Sequence, residues 1–159
     1  MKRTMLLVHG LLLVSSMIVP FASAHAQTFR LDDSASQVLG GPVAMKWESF
    51  VPRPGHGDAL SGVITVVVRL DVSEWKGRTV RIYHTLPAHP SGPFTVRWTT
   101  HGRLLPGTMR DGERALVYSG QLQTDVMEDT FRILVQTDSG RLSREERLEF
   151  GFEIDVETP

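Results

Sequence analysis

Apolar and polar residues alternate along most of the chain between residues 43 and 157. In the segment 62–72, apolar residues recur at every second position from Ile64 to Leu70, which is the periodicity of a β-strand. No stretch of the sequence repeats its apolar residues at the spacing of a helix. The alternation therefore predicts seven strands, over residues 43–51, 62–72, 78–86, 94–99, 114–121, 130–137 and 147–157.

Proline, glycine and aspartate mark turns between these segments. They cluster over residues 52–57, 87–93, 106–107 and 111–112, and a single helical turn is predicted only at 72–76. Many short strands without crossover helices are typical of two antiparallel sheets packed on each other. The sequence therefore predicts an all-β fold, an antiparallel immunoglobulin-like β-sandwich of about seven strands, with a small closed barrel as the alternative.

Residues 27–41 differ in character from the rest of the chain. They are mainly polar, alternate only briefly at Phe29 and Leu31, and end in two glycines. This pattern fits a first edge strand or a flexible N-terminal arm, and such an arm can add a strand to the sheet of a neighbouring molecule. The β-sandwich domain itself is predicted over residues 42–159.

The first 26 residues have the organisation of an export signal. Two basic residues precede an apolar run over 5–21, and small residues then form two overlapping A-x-A sites. This arrangement predicts a signal peptide over 1–26, cut after Ala24 or Ala26, and export to the periplasm or the cell surface. A retained membrane anchor is the alternative, and no membrane-spanning segment is predicted after signal removal.

Composition excludes several kinds of site and partner. The 159 residues include no cysteine, which excludes disulfides, zinc–thiolate sites and a cysteine nucleophile. Signal removal would leave 15 basic residues against 18 acidic ones, a net charge of −3, so no nucleic-acid partner is predicted. Because the chain also lacks the motifs of serine hydrolases, P-loop NTPases and zinc peptidases, it is predicted not to be an enzyme.

Histidines are the candidate metal ligands. His84 lies on the inward face of a predicted strand, His89 lies in a proline-rich loop, and His101 lies at a turn. If the signal is cut at the first A-x-A site, His25 becomes the first residue, and its amine and ring nitrogen can bind copper together with a second histidine. Cleavage at the second site removes this option, and no other cofactor is predicted. The simpler expectation is a buried, hydrogen-bonded His84 and solvent-exposed loop histidines.

Seven residues are candidates for contact with a partner protein: Trp75, Arg81, Tyr83, Arg97, Glu149, Glu153 and Asp155. Arg81 and Tyr83 project from one predicted strand, and we expect Arg97 to lie across from them. The three acidic residues alternate with the core positions of the last strand, where they form a solvated face or a docking surface for a basic partner. Trp75, in a turn, is the tryptophan expected at the surface, whereas Trp47 and Trp98 are predicted in the core.

Three hypotheses about function remain. The favoured one is an exported, non-enzymatic β-sandwich that acts through contacts with an envelope or surface protein, or with a second copy of itself, as an assembly accessory or a pilin-like subunit. The alternative is a periplasmic carrier of copper or another metal that uses the histidines. The second alternative is an exported enzyme that acts on carbohydrates, although no catalytic pair of carboxylates is evident.

Overall fold

The computed structural model describes residues 27–41, 45–47, 59–90, 92–138 and 147–157, and these residues form ten β-strands. The strands are β1 (Gln27–Arg30), β2 (Gln37–Leu39), β3 (Lys46–Trp47), β4 (Ala59–Asp71), β5 (Thr79–Thr85), β6 (Phe94–Thr99), β7 (Gly107–Arg110), β8 (Arg114–Gln121), β9 (Val126–Asp138) and β10 (Gly151–Val156). One 3-10 turn, Ser73–Trp75, joins β4 to β5, which confirms the helical turn predicted there.

The strands form two antiparallel sheets. Sheet A has the order β1-β10-β5-β8. Sheet B has the order β2-β4-β9-β6-β7, and β3 pairs with β4 on the edge that also carries β2. The predicted all-β class with two antiparallel sheets is therefore confirmed, and the arrangement is that of a β-sandwich.

Alternation along the strands places one set of side chains between the two sheets. In β9, Phe131 and Ile133 are buried while Arg132 is exposed, and in β5, Ile82 is buried while Arg81 is exposed. The inward residues of both sheets belong to one apolar core. Removing such side chains from water supplies about 1.5–3 kcal/mol for each large residue, which is the main force that holds the sheets together.

Trp98 occupies the middle of this core, as predicted. Its side chain is 1% exposed, and its ring stacks on that of Phe131 with centroids 6.2 Å apart. The indole Nε1 donates a hydrogen bond to the carbonyl oxygen of Leu105 at 3.0 Å. A Cβ atom at Gly107 would lie 2.6 Å from Trp98 Cζ2, so only glycine allows β7 to approach the indole this closely.

Some strands differ from the predicted ones. β2 and β7 have four residues or fewer, which is too short for a period of two to be recognised, whereas β1 lies in the segment expected to be an edge strand or an arm. β9 begins at Val126, four residues before the predicted start at residue 130. The prediction was late because Asp129, a polar residue, occupies an inward position and interrupts the apolar pattern. Of the predicted strand 43–51, only β3 is observed, since 43–44 and 48–51 lie outside the described residues, as does the side chain of Trp47.

Asp129 organises the loop between β6 and β7. Its side chain is buried, and its Oδ1 atom accepts hydrogen bonds from the backbone N–H groups of His101 at 3.0 Å and Gly102 at 2.8 Å. The Oδ2 atom accepts a third from the N–H group of Leu104 at 2.9 Å. A buried carboxylate is tolerated in a core only when its oxygens are satisfied in this way.

The segment 27–41 connects the edges of the two sheets. Its first part, β1, pairs with β10 so that Gln27 lies opposite Val156. Its last part, β2, pairs with β4 so that Val38 lies opposite Val66. Between them, Leu31 is buried in the common core, and the segment therefore contributes one edge strand to each sheet.

Candidate functional site

Four of the seven candidate contact residues lie together on the outer face of sheet A. In the pairing of β5 with β10, Tyr83 lies opposite Glu153 and Arg81 lies opposite Asp155. All four project away from the core, because the residues between them in each strand are buried. Together with Arg114 of β8 they form what we call the Arg–Tyr face.

Arg114 takes the place that was expected for Arg97. Arg97 belongs to β6 in sheet B, so the prediction that it lies across from Arg81 and Tyr83 is wrong. Alternation assigns each residue to a face of its strand, but it does not show which strands share a sheet. Arg114 is the first residue of β8, and its guanidinium carbon lies 4.2 Å from the centre of the Tyr83 ring, a cation–π contact that alternation did not reveal.

Asp155 is the most enclosed residue of the Arg–Tyr face. Its carboxylate accepts a hydrogen bond from Thr28 Oγ1 at 2.6 Å and bonds from Arg114 Nη1 at 3.2 Å and Nη2 at 3.1 Å. Burial alone would raise the pKa of Asp155, but the bonds from Thr28 and Arg114 and the charges of Arg114 and Arg81 outweigh it and lower the pKa below its usual value. The side chain is therefore an ionised, buried member of a network and not the solvated acid expected from the sequence.

The other charges of this face are also paired. Arg114 Nη1 lies 3.4 Å from Glu153 Oε2, and Arg81 Nη2 lies 3.0 Å from Glu157 Oε1. The contacts join β10, β5 and β8 across the outer face of sheet A. The face consequently presents charges of both signs in fixed positions, with the Arg114–Tyr83 pair among them.

Replacing Arg114 with alanine is expected to lower the free energy of unfolding by about 1.5 kcal/mol, since it removes a bidentate partner from an enclosed carboxylate. The matched control is Arg69→Ala, whose ion pair with Glu128 spans 3.9 Å between exposed side chains. That substitution is expected to cost less than about 0.5 kcal/mol. Urea denaturation of both variants measures the difference, and equal losses would contradict the structural role given to Arg114.

Trp75 and Glu149 are not members of the Arg–Tyr face, although Glu149 lines a small cavity together with Glu153 of that face. Trp75 is partly buried in the 3-10 turn, and its ring contacts that of Phe29 with centroids 5.9 Å apart. Glu149 is exposed and precedes β10. Arg97 is exposed on sheet B, whereas the Arg–Tyr face belongs to sheet A, so the seven candidates do not form one continuous surface.

The candidate metal ligands do not form a recognisable metal centre among the described residues. His84 is buried among aromatic rings, the ring of His89 packs against Phe94 with centroids 5.2 Å apart, and His101 is exposed in the loop before β7. The parts of the chain that the structure describes contain no group of three or more histidine, aspartate or glutamate side chains placed to hold a metal ion. His25 lies outside the described residues.

His84 differs from its prediction in one respect. It is 1% exposed, as an inward strand residue should be, but among the described residues its Nδ1 atom has no hydrogen-bond partner, unlike the hydrogen-bonded imidazole that was expected. The ring stacks on Phe152 with centroids 4.9 Å apart and meets Trp98 edge-on at 4.8 Å. Burial lowers the pKa of His84 to about 4, so the imidazole is neutral at pH 7.

Comparison with known proteins does not assign this chain to a family. No family model, curated protein or solved structure matches it. In the part of the chain that the structure describes, no helix has the length and apolar character needed to span a bilayer. The Arg–Tyr face and the surroundings of His84 are therefore interpreted from their own chemistry.

Proposed function

We propose that this chain is an exported, non-enzymatic β-sandwich protein of immunoglobulin-like type that binds another protein of the cell envelope or cell surface through its Arg–Tyr face. The observation that supports this proposal is the convergence of Arg81, Tyr83, Glu153 and Asp155 with Arg114 on one side of sheet A. Export is inferred from the signal-like sequence over 1–26.

The chemistry of the face suits contact with a protein. Arginine and tyrosine are enriched where proteins bind each other, because each combines a large apolar surface with hydrogen-bonding groups. Here the Arg114 side chain is held by Asp155 and by the Tyr83 ring before any partner arrives. A partner therefore meets side chains that have already lost much of their rotamer freedom, and less entropy is lost on binding.

The charge pattern indicates what kind of partner fits. The basic side chains Arg81 and Arg114 are already paired with Glu157, Glu153 and Asp155, so each of these five charged groups has a neighbour of opposite sign. A partner surface with alternating polar and charged groups of both signs is complementary to it. A uniformly basic partner, the one suggested by the acidic residues of the last strand taken alone, is less well matched.

Site-specific photo-crosslinking in the exporting cell tests the proposal. A photoreactive phenylalanine analogue at Tyr83 is expected to give one major crosslinked product, whereas the same analogue at Arg97, exposed on sheet B, is expected to give none. Mass spectrometry of the product identifies the partner, a second copy of this chain included, and shows whether residues 1–26 have been removed.

Binding of the purified partner then provides the quantitative test. The double variant Arg81→Ala/Tyr83→Ala is expected to weaken binding by about tenfold or more, and Arg97→Ala is expected to leave it unchanged. Equal crosslinking from positions 83 and 97, or a partner whose affinity is the same for both variants, would count against the Arg–Tyr face as the binding surface.

A further inference from the structure

A cleft of about 500 Å³ lies between the two sheets and is lined by residues of both. Sheet B contributes Val38 of β2, Val66 of β4 and Phe131 of β9, and sheet A contributes His84 of β5 and Phe152 of β10. Cavities that hold small organic molecules have volumes of about 300–1,000 Å³. The cleft is therefore of the size that a small ligand requires.

The cleft has an apolar interior and a charged mouth. Its walls include the side chains of Val66, Val68, Phe131, Ile133, Phe150 and Phe152. At its rim lie Arg30, Asp33, Arg147 and Glu149, and within the described residues no ion pair joins any of these four. Of the described residues, two basic and two acidic groups lie at the mouth, and these four together favour neither anions nor cations.

Val38 shows that the apolar lining continues to the surface. Its pairing with Val66 places both side chains on the inward side of sheet B, yet Val38 is 59% exposed. An inward-facing valine that remains this exposed lacks the cover that residues such as Val68 receive. A bound apolar molecule would cover Val38 and remove that surface from water.

His84 provides the polar group inside the cleft. Its ring is one of the lining groups, and its Nδ1 atom is buried with no hydrogen-bond partner in the described parts of the chain. An unpaired buried polar atom is unfavourable, and most such atoms in proteins are paired. A neutral imidazole offers one N–H donor and one nitrogen acceptor, and a hydroxyl group can serve either of them.

We propose that this cleft binds a small, uncharged, largely apolar molecule that carries a hydroxyl group, with the hydroxyl hydrogen-bonded to the imidazole of His84. A charged group at the inner end of the ligand is disfavoured, because the surrounding walls are apolar and aromatic. The aromatic side chains around His84 favour a flat ring system over a flexible chain. This binding is independent of the Arg–Tyr face, which lies on the outer side of sheet A.

The test compares 1-naphthol with naphthalene, which differ only in the hydroxyl group. Equilibrium dialysis is expected to show that the wild-type protein binds 1-naphthol about fivefold more tightly than naphthalene, the effect of one net hydrogen bond. In His84→Phe, which retains an aromatic ring, the preference is expected to disappear. In the wild-type protein, nitrogen NMR is expected to show a shift of the His84 ring signals with 1-naphthol only.

Substitutions at two exposed valines on opposite faces of sheet B test whether the probes bind in the cleft. Val38→Trp places an indole at the mouth of the cleft and is expected to weaken binding of both probes by about tenfold or more, by occupying the space. Val63→Trp is the control, because Val63 is 46% exposed and alternates with the inward residues of β4. It is expected to leave both affinities unchanged.

Several outcomes would overturn the proposal. These are no saturable binding of either probe, equal affinity of the wild-type protein for the two probes, and equal effects of Val38→Trp and Val63→Trp. If His84→Phe fails to fold, the wild-type comparison of the two probes, the ring-nitrogen shifts and the valine variants still decide it. None of these results depends on whether a protein partner binds the Arg–Tyr face.

Discussion

Alanine in place of Asp129 is expected to lower the free energy of unfolding by about 3 kcal/mol, the largest effect of a substitution outside the apolar core. The carboxylate accepts hydrogen bonds from the backbone N–H groups of His101, Gly102 and Leu104, and Asp129 is only 5% exposed. Removing it leaves these donors without their acceptor and opens a small void beneath the loop. Urea unfolding at neutral pH measures the loss.

Two further variants test the role given to the Asp129 carboxylate, one at the same position and one as a control. In Asp129→Asn, one side-chain atom still accepts, but the amide nitrogen would face the N–H group of Leu104, so about 2 kcal/mol of destabilisation is expected. Asp125→Ala is the control, because Asp125 is exposed and its ion pair with Lys76 at 2.9 Å lies at the surface. A loss in Asp125→Ala as large as that in Asp129→Ala would contradict the assignment.

Acidification from pH 7 to pH 4 is expected to destabilise the wild-type protein by about 3 kcal/mol more than the His84→Phe variant. Burial lowers the pKa of His84 to about 4 in the folded state, whereas in the unfolded chain the imidazole titrates near 6.5. Between these two values the unfolded state binds the extra proton, so stability falls as the pH falls. Phenylalanine does not titrate, and the variant lacks this contribution.

Unfolding curves for the two proteins at several pH values provide the measurement. The carboxylates that become protonated below about pH 5 are common to both, so the difference between the curves isolates His84. NMR of the imidazole signals checks the cause directly, because the folded protein should show His84 titrating near pH 4. Parallel stability curves for the wild type and His84→Phe would show that burial does not hold this ring neutral.

The sequence predicts which side of a strand each residue occupies better than it predicts which strands are neighbours. Inward positions for His84 and Trp98 and a shared outer face for Arg81 and Tyr83 follow from a period of two alone. The position of Arg97 does not follow, because whether β6 joins sheet A or sheet B depends on contacts between segments far apart in the chain.

Polar groups at inward positions account for most of the other differences between the predicted and the observed structure. Asp129 interrupts the apolar pattern, so the predicted strand began four residues late, and no motif shows that its oxygens meet the backbone of the 101–104 loop. The Nδ1 atom of His84, which has no hydrogen-bond partner among the described residues, is another such polar group. A partner for a buried polar atom is decided by three-dimensional packing, and the residues that would supply it leave no regular spacing in the sequence.

The pairing of β1 with β10 determines when sheet A can be completed. Thr28 and Asp155, joined by a hydrogen bond, are separated by 127 positions in the chain. Since β10 lies between β1 and β5, β1 has no neighbour in sheet A, and β5 has only β8, until β10 has left the ribosome, which extends the chain by about 5–20 residues per second. Sheet A is therefore complete only after β10 has been synthesised, and contacts at this separation favour slow folding.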